Sequence, residues 1–94
     1  MATQTLLITY NLNGGDDQYE ELFKKIKGLG KWWHDASKLD SVWFVRTEKT
    51  LEEANDEISR EFRKEDNRFV VDITGRTWHG WMPKAFWKWI NATT

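Results

Sequence analysis

Short apolar bursts alternate with charged stretches along this chain, and the spacing of the apolar positions changes from one stretch to the next. The segment Thr3-Gln4-Thr5-Leu6-Leu7-Ile8-Thr9-Tyr10-Asn11 is rich in β-branched and apolar residues and predicts a strand. Asn13-Gly14-Gly15 reads as a loop. Tyr19, Leu22, Phe23, Ile26 and Leu29 then recur at helical spacing, with Asp16 or Asp17 as the expected cap. Lys24, Lys25 and Lys27 suit the negative end of that helix, and Gly28 and Gly30 mark its exit. Lys31 to Asp35 is a short aromatic segment, and Ser41-Val42-Trp43-Phe44-Val45-Arg46-Thr47 is a clear strand; Ala36 to Asp40 fits a hairpin loop between them. Thr50-Leu51-Glu52-Glu53 matches a capping box and opens a second helix, with Leu51, Ala54, Ile58 and Phe62 as its buried stripe. Asp66-Asn67 turns the chain into a fourth strand, Arg68-Phe69-Val70-Val71-Asp72-Ile73. An aromatic loop from Thr74 to Met82 follows, and Pro83 opens a last helix over 83–92 with Phe86, Trp89 and Ile90 on its apolar face.

The order β-α-β-β-α-β plus a short helix predicts an α+β fold, the ferredoxin-like arrangement. Its four antiparallel strands form one sheet, with two helices on one face and a C-terminal helix appended. Residues 1–94 read as one domain, without a linker or a repeat. Each predicted strand carries apolar residues on both faces, as with Val42 and Phe44 against Trp43 and Val45. A sheet with one solvated face would alternate apolar with polar instead. The second face therefore needs a cover, and a homodimer through it is the favoured one, with the terminal helix as the competitor.

Composition narrows the function classes. The 94 residues hold 14 Lys+Arg and 15 Asp+Glu, for a formal charge of −1. The absence of cysteine excludes disulfides, thiolate metal sites and a cysteine nucleophile. No apolar run is long enough for a membrane span, and residues 1–10 lack a secretory signal, so a cytoplasmic protein is expected. Seven tryptophans stand out. Their expected role is packing, with the hairpin clamped to the terminal helix or subunit to subunit. Any that proves exposed, above all Trp78 or Trp81, is the first candidate for partner contact.

Candidate chemistry is sparse. Asn11, Asn13, Asp16 and Asp17 follow the first strand, near the expected positions of Ser41, Asn67 and Arg68, where carboxylates could hold Mg²⁺. A turn followed by a helix cap uses the same residue types and is the favoured reading. Gly14-Gly15 lacks the following Lys-Ser/Thr of a phosphate loop. His34 and His79 are too few for zinc without carboxylates, and no Gly-x-Ser-x-Gly elbow exposes a serine. Lys24, Lys25, Lys27 and Lys31, with Arg60, Arg63, Lys64 and Arg68, form basic clusters diluted by glutamates, so solvated helix faces are the default. Aromatics on the central strands could stack bases, but the third-strand motif of RNA-recognition domains is absent. The candidate binding residues are Tyr10, Asn13, Trp43, Arg68, Trp78 and Trp81.

Several motifs resemble a known family. Leu7-Ile8-Thr9-Tyr10-Asn11-Leu12 resembles the first strand of the small CRISPR adaptation nucleases (the second Cas protein) and their VapD-like relatives, which typically ends Tyr-Asp-Leu. The ordered set Tyr10-Asn11-Leu12-Asn13, Gly30-Lys31-Trp32-Trp33-His34, Ser41-Val42-Trp43-Phe44-Val45-Arg46-Thr47 and Thr74-Gly75 is closer still to small ferredoxin-like proteins labelled SinR family. The likeness covers residues 5–75. It implies the fold and dimerisation through the sheet. In the CRISPR nucleases the aspartate ending strand one is the proposed metal ligand, one from each subunit; here that position is Asn11, a neutral and weaker Mg²⁺ ligand. Asp16 or Asp17 could substitute only if the loop folds back. The tryptophan-rich tail from Trp78 to Trp89 has no counterpart in those nucleases. The expectation is a non-catalytic homodimer without a cofactor that binds protein or nucleic acid, in a setting of phage–host conflict. The alternative is a metal-dependent nuclease acting on RNA or DNA, with Mg²⁺ near Asn11 and Asp16.

Overall fold

Strand pairing is set by β1 (Gln4–Asn11), which lies inside the sheet and is flanked on both sides. The computed structural model describes residues 3–92. After β1 come α1 (Asp16–Lys27), β2 (Lys31–Trp33), β3 (Val42–Thr47), α2 (Leu51–Ser59), β4 (Asn67–Asp72) and α3 (Lys84–Asn91). The sheet order is β2-β3-β1-β4, all antiparallel, which is the ferredoxin-like topology. Ile8 lies opposite Trp43 on β3 and opposite Val70 on β4.

The local signals explain most element boundaries. Thr50 caps α2 through the expected box: its hydroxyl accepts from the Glu53 amide, and the Glu53 carboxylate accepts from the Thr50 amide. The start of α1 differs from expectation. Gly15 is the capping residue, and its carbonyl accepts from the amides of Gln18 and Tyr19. Asp16 and Asp17 sit inside the first turn, where their charge favours the helix dipole. The β2–β3 loop spans 34–41, longer than the sequence suggests, because Asp35 builds a turn with Ser37 and Lys38. Gly30 lets β2 start close against β3: a Cβ there would run into the Arg46 carbonyl.

Two apolar layers lie on opposite faces of the sheet. On one face Leu6, Ile8, Tyr10, Trp43 and Val45 pack under Leu22 and Ile26 of α1 and Ala54 and Ile58 of α2. On the other, Phe44 packs with Phe86 and Ile90 of α3, and Leu7, Trp33, Val42 and Ile73 complete that layer. The rings of Trp33 and Phe44 each stand edge-on to Phe86 at 4.9 Å between centroids. The face that the sequence assigns to a second copy is thus covered by the chain's own α3 over its β3 side. The physical reason is that Phe86 and Ile90, one turn apart, supply an apolar stripe from within the chain. α3 occupies the surface over Leu7 and Phe44 that sheet-on-sheet pairing would use. The β4 side stays open, and Phe69 is 65% exposed.

Candidate functional site

The residues expected at the end of β1 separate into a structural clasp and two unrelated surfaces. Asp66, in the turn before β4, is the hub of the clasp. Its carboxylate accepts from the amides of Asn13 and Arg63, both at 2.8 Å, and from the Gln18 side chain at 2.6 Å. The Asn13 side-chain amide donates to the Glu65 carbonyl at 2.8 Å. Asn13, expected as a binding residue, therefore ties the β1–α1 loop to the α2–β4 loop. Desolvation pushes the Asp66 carboxyl upward, but the amides of Arg63 and Asn13 and the Gln18 side chain outweigh it and hold the group below the usual range. A depressed folded-state value stabilises the fold above the unfolded value and is lost as pH falls through the folded one. Asp66→Ala is expected to melt below the wild type above about pH 5, with the gap closing in acid. Thermal unfolding across pH checks this; a gap independent of pH would contradict it.

Asn11 and Asp16 do not converge. Asn11 lies on the open strip with Thr9, Asn67 and Phe69, whereas Asp16 lines a cleft on the helix side with Tyr10, Tyr19 and Glu20. Among the described residues no three His, Cys, Asp or Glu side chains gather as cation ligands. Asp17 is exposed in the first turn of α1. His34 and His79 are also apart. His34 stacks on Trp43 at 4.2 Å beneath the long helices, and His79 lies beside α3 on the other face.

Tyr10 and Trp43, expected as binding residues, are core residues. Trp43 is 1% exposed, and its indole N–H donates to the Tyr10 hydroxyl at 3.0 Å. Burial pushes that hydroxyl up to about 12 against the opposing pull of the Trp43 bond. The parity of β3 explains the correction: Trp43 shares the face of Val45 beneath α1 and α2, while Phe44 faces α3. Arg68 is exposed, but its Nε donates to Asn55 Oδ1 at 2.7 Å and its guanidinium lies 5.0 Å over Phe62, which binds β4 to α2.

The two remaining candidates, Trp78 and Trp81, define the surface with the strongest chemistry. After β4 the chain turns at Thr74-Gly75, where Gly75 adopts φ +68°. It then runs back beside α3 and walls a cleft of about 390 Å³. Trp78, Trp87 and Met82 line it over a floor of Leu7, Phe44 and Ile90, and Arg76 and His79 stand at its rim. The Trp87 indole N–H donates to the Met82 carbonyl at 3.1 Å and fixes the loop to the helix. Trp78 is half-buried against the α3 layer, whereas Trp81 is 98% exposed. An indole wholly in water gains nothing from the core.

The charge of this segment is distinctive. Every aspartate and glutamate lies at or before Asp72, while Arg76, Lys84 and Lys88 follow it. All three cations are exposed, the two lysines on the outer side of α3. Arg46 adds a fourth basic group nearby, its guanidinium stacked 3.9 Å over Trp89. The whole-chain charge of −1 conceals this division, and a count by segment would have found it. Neither protein-family models, curated proteins nor solved structures give a match to this chain.

Proposed function

We propose that this chain is a non-catalytic ferredoxin-like binding protein that holds single-stranded nucleic acid on its α3 face. The observation that carries the reading is the acid-free stretch after Asp72, which sets the exposed Trp81 and the half-buried Trp78 among Arg76, Lys84 and Lys88. Aromatic planes for bases interleaved with cations for phosphates are the recurring parts of single-strand sites. The cleft beside Trp81 offers a further apolar seat for one unstacked base. Asn11 supports the non-catalytic half, because a neutral amide stands where the CRISPR nucleases, which the chain resembles, carry a carboxylate. That resemblance also supplies the proposed setting, phage–host conflict.

Binding of a labelled single-stranded oligonucleotide, followed by anisotropy over a salt series, tests the reading. Three phosphate contacts predict a log–log salt slope of about −2. Trp81→Ala is expected to weaken binding about 5- to 150-fold, from a loss of about 1–3 kcal/mol per stacked base, with the melting temperature unchanged. Failure of the wild type to bind at low salt, or a Trp81→Ala variant that binds equally well, would refute it. Metal-dependent cleavage of the same oligonucleotide, lost in Asp16→Ala, would overturn the non-catalytic assignment.

A further inference from the structure

We propose that two copies of this chain join through the free edge of β4, Val70 against Val70 of the partner subunit, to form one continuous sheet. Among the described residues β4 ends the sheet and pairs only with β1. The Ile73 amide donates to the Thr5 carbonyl at 2.9 Å, so Ile73 turns its peptide groups toward β1. Alternation along an antiparallel ladder then turns Phe69 and Val71 the same way, and sends the amides and carbonyls of Arg68, Val70 and Asp72 outward. Asn67–Asp72 contains neither proline nor lysine, two residues that commonly guard an edge strand, and its charges, Arg68 and Asp72, are of opposite sign.

Charge then selects one register. With Val70 on a two-fold axis, Arg68 faces the partner's Asp72, and Asp72 faces the partner's Arg68. Both residues lie on the helix side of the sheet, where Arg68 opposes Tyr10 and Asp72 opposes Leu6. On the other side Phe69 falls opposite the partner's Val71 at each end, which covers a ring that is 65% exposed in the single chain. A shift of two residues in one direction sets Asp72 against the partner's Asp66. A shift in the other sets it against the partner's Val70. Either shift gives up both ion pairs. An odd shift opposes outward groups with inward ones and forms no ladder. Opposite charges directly across strands attract and like charges repel, so the strand is complementary to itself in one alignment only. Such pairing is isologous and closed, and gives a dimer without a filament. The axis stands perpendicular to the sheet, so the two α3 faces lie side by side.

Sedimentation velocity of the full chain is expected to give a dimer at sub-millimolar concentration. Arg68→Asp and Asp72→Arg each set like charges opposite one another at both ends and weaken self-association by at least about tenfold. Mixing the two variants restores a heterodimer, since each carboxylate on one chain then faces a guanidinium on the other. Phe69→Glu, at an exposed position that the fold does not need, also yields a monomer with an unchanged circular dichroism spectrum. A monomeric wild type would overturn the proposal. So would folded charge-reversal variants that stay dimeric, a folded Phe69→Glu variant that stays dimeric, or a mixture of the folded charge variants that stays monomeric.

Discussion

Trp43→Ala is expected to lower the unfolding free energy by about 3–5 kcal/mol, the range for deleting a buried aromatic side chain. Trp43 is 1% exposed, packs at 5.2 Å from Phe23 and stacks on His34. Its removal also leaves the Tyr10 hydroxyl without the indole that donates to it. Folded domains hold only about 5–15 kcal/mol in total, so this substitution takes a large share. Urea denaturation followed by circular dichroism measures it. Trp43→Phe isolates the polar part: it keeps a ring, and it costs more than the double variant Trp43→Phe/Tyr10→Phe relative to their respective parents. Removing both members of a buried hydrogen bond is less harmful than removing one. A loss below about 1 kcal/mol for Trp43→Ala would contradict a core role. It would reopen the base-stacking role for this residue.

Phe86→Ala is expected to cost a similar amount, about 3–5 kcal/mol, but to fail in a different way. Phe86 is 4% exposed and holds α3 to the sheet through Trp33 and Phe44. Its layer is separated from the α1–α2 layer by the sheet itself. Sub-global opening is therefore expected, with α3 detaching before the sheet melts. Binding of a hydrophobic dye and a red shift of tryptophan emission should precede loss of the far-ultraviolet signal on heating. Oligonucleotide binding should fall with the first transition, because the cleft beside Trp81 is built on α3. Coincident transitions by all three probes would instead mark one cooperative unit.

The chain's elements are legible in the sequence where the determining contacts are local. The α2 capping box lies within four consecutive residues, and the helical stripes of Leu22 and Ile26 or Ala54 and Ile58 require no knowledge of distant chain. Two things are not legible. The face of β3 that meets the long helices cannot be chosen from sequence, because Val42-Trp43-Phe44-Val45 is apolar on both sides. Sequence reasoning consequently places Trp43 among the binding residues. The cover of the second face is equally undetermined, since an apolar stripe on α3 and an apolar stripe on another copy satisfy it alike. The Asp66 clasp joins residues more than fifty positions apart and carries no local signature. In contrast, the candidate site is partly readable: Trp78 and Trp81 stand out in the sequence, and the acid-free stretch after Asp72 is visible once charges are counted by segment.

The central place of β1 has a consequence for the time course of folding. Its amide at Thr5 bonds to Thr74, 69 positions later, and its whole β4 flank waits on similarly distant chain. Topologies dominated by such distant pairings close large loops before any ladder repays the entropy, which slows folding to the millisecond-to-second range. Until β4 arrives, β1 and β3 form a ribbon with Leu7 and Phe44 bare on one side. α3 comes later in chain order than every strand, so the ribbon passes through a period of exposed apolar surface. Over that interval self-association competes with folding, and refolding yield should fall as protein concentration rises.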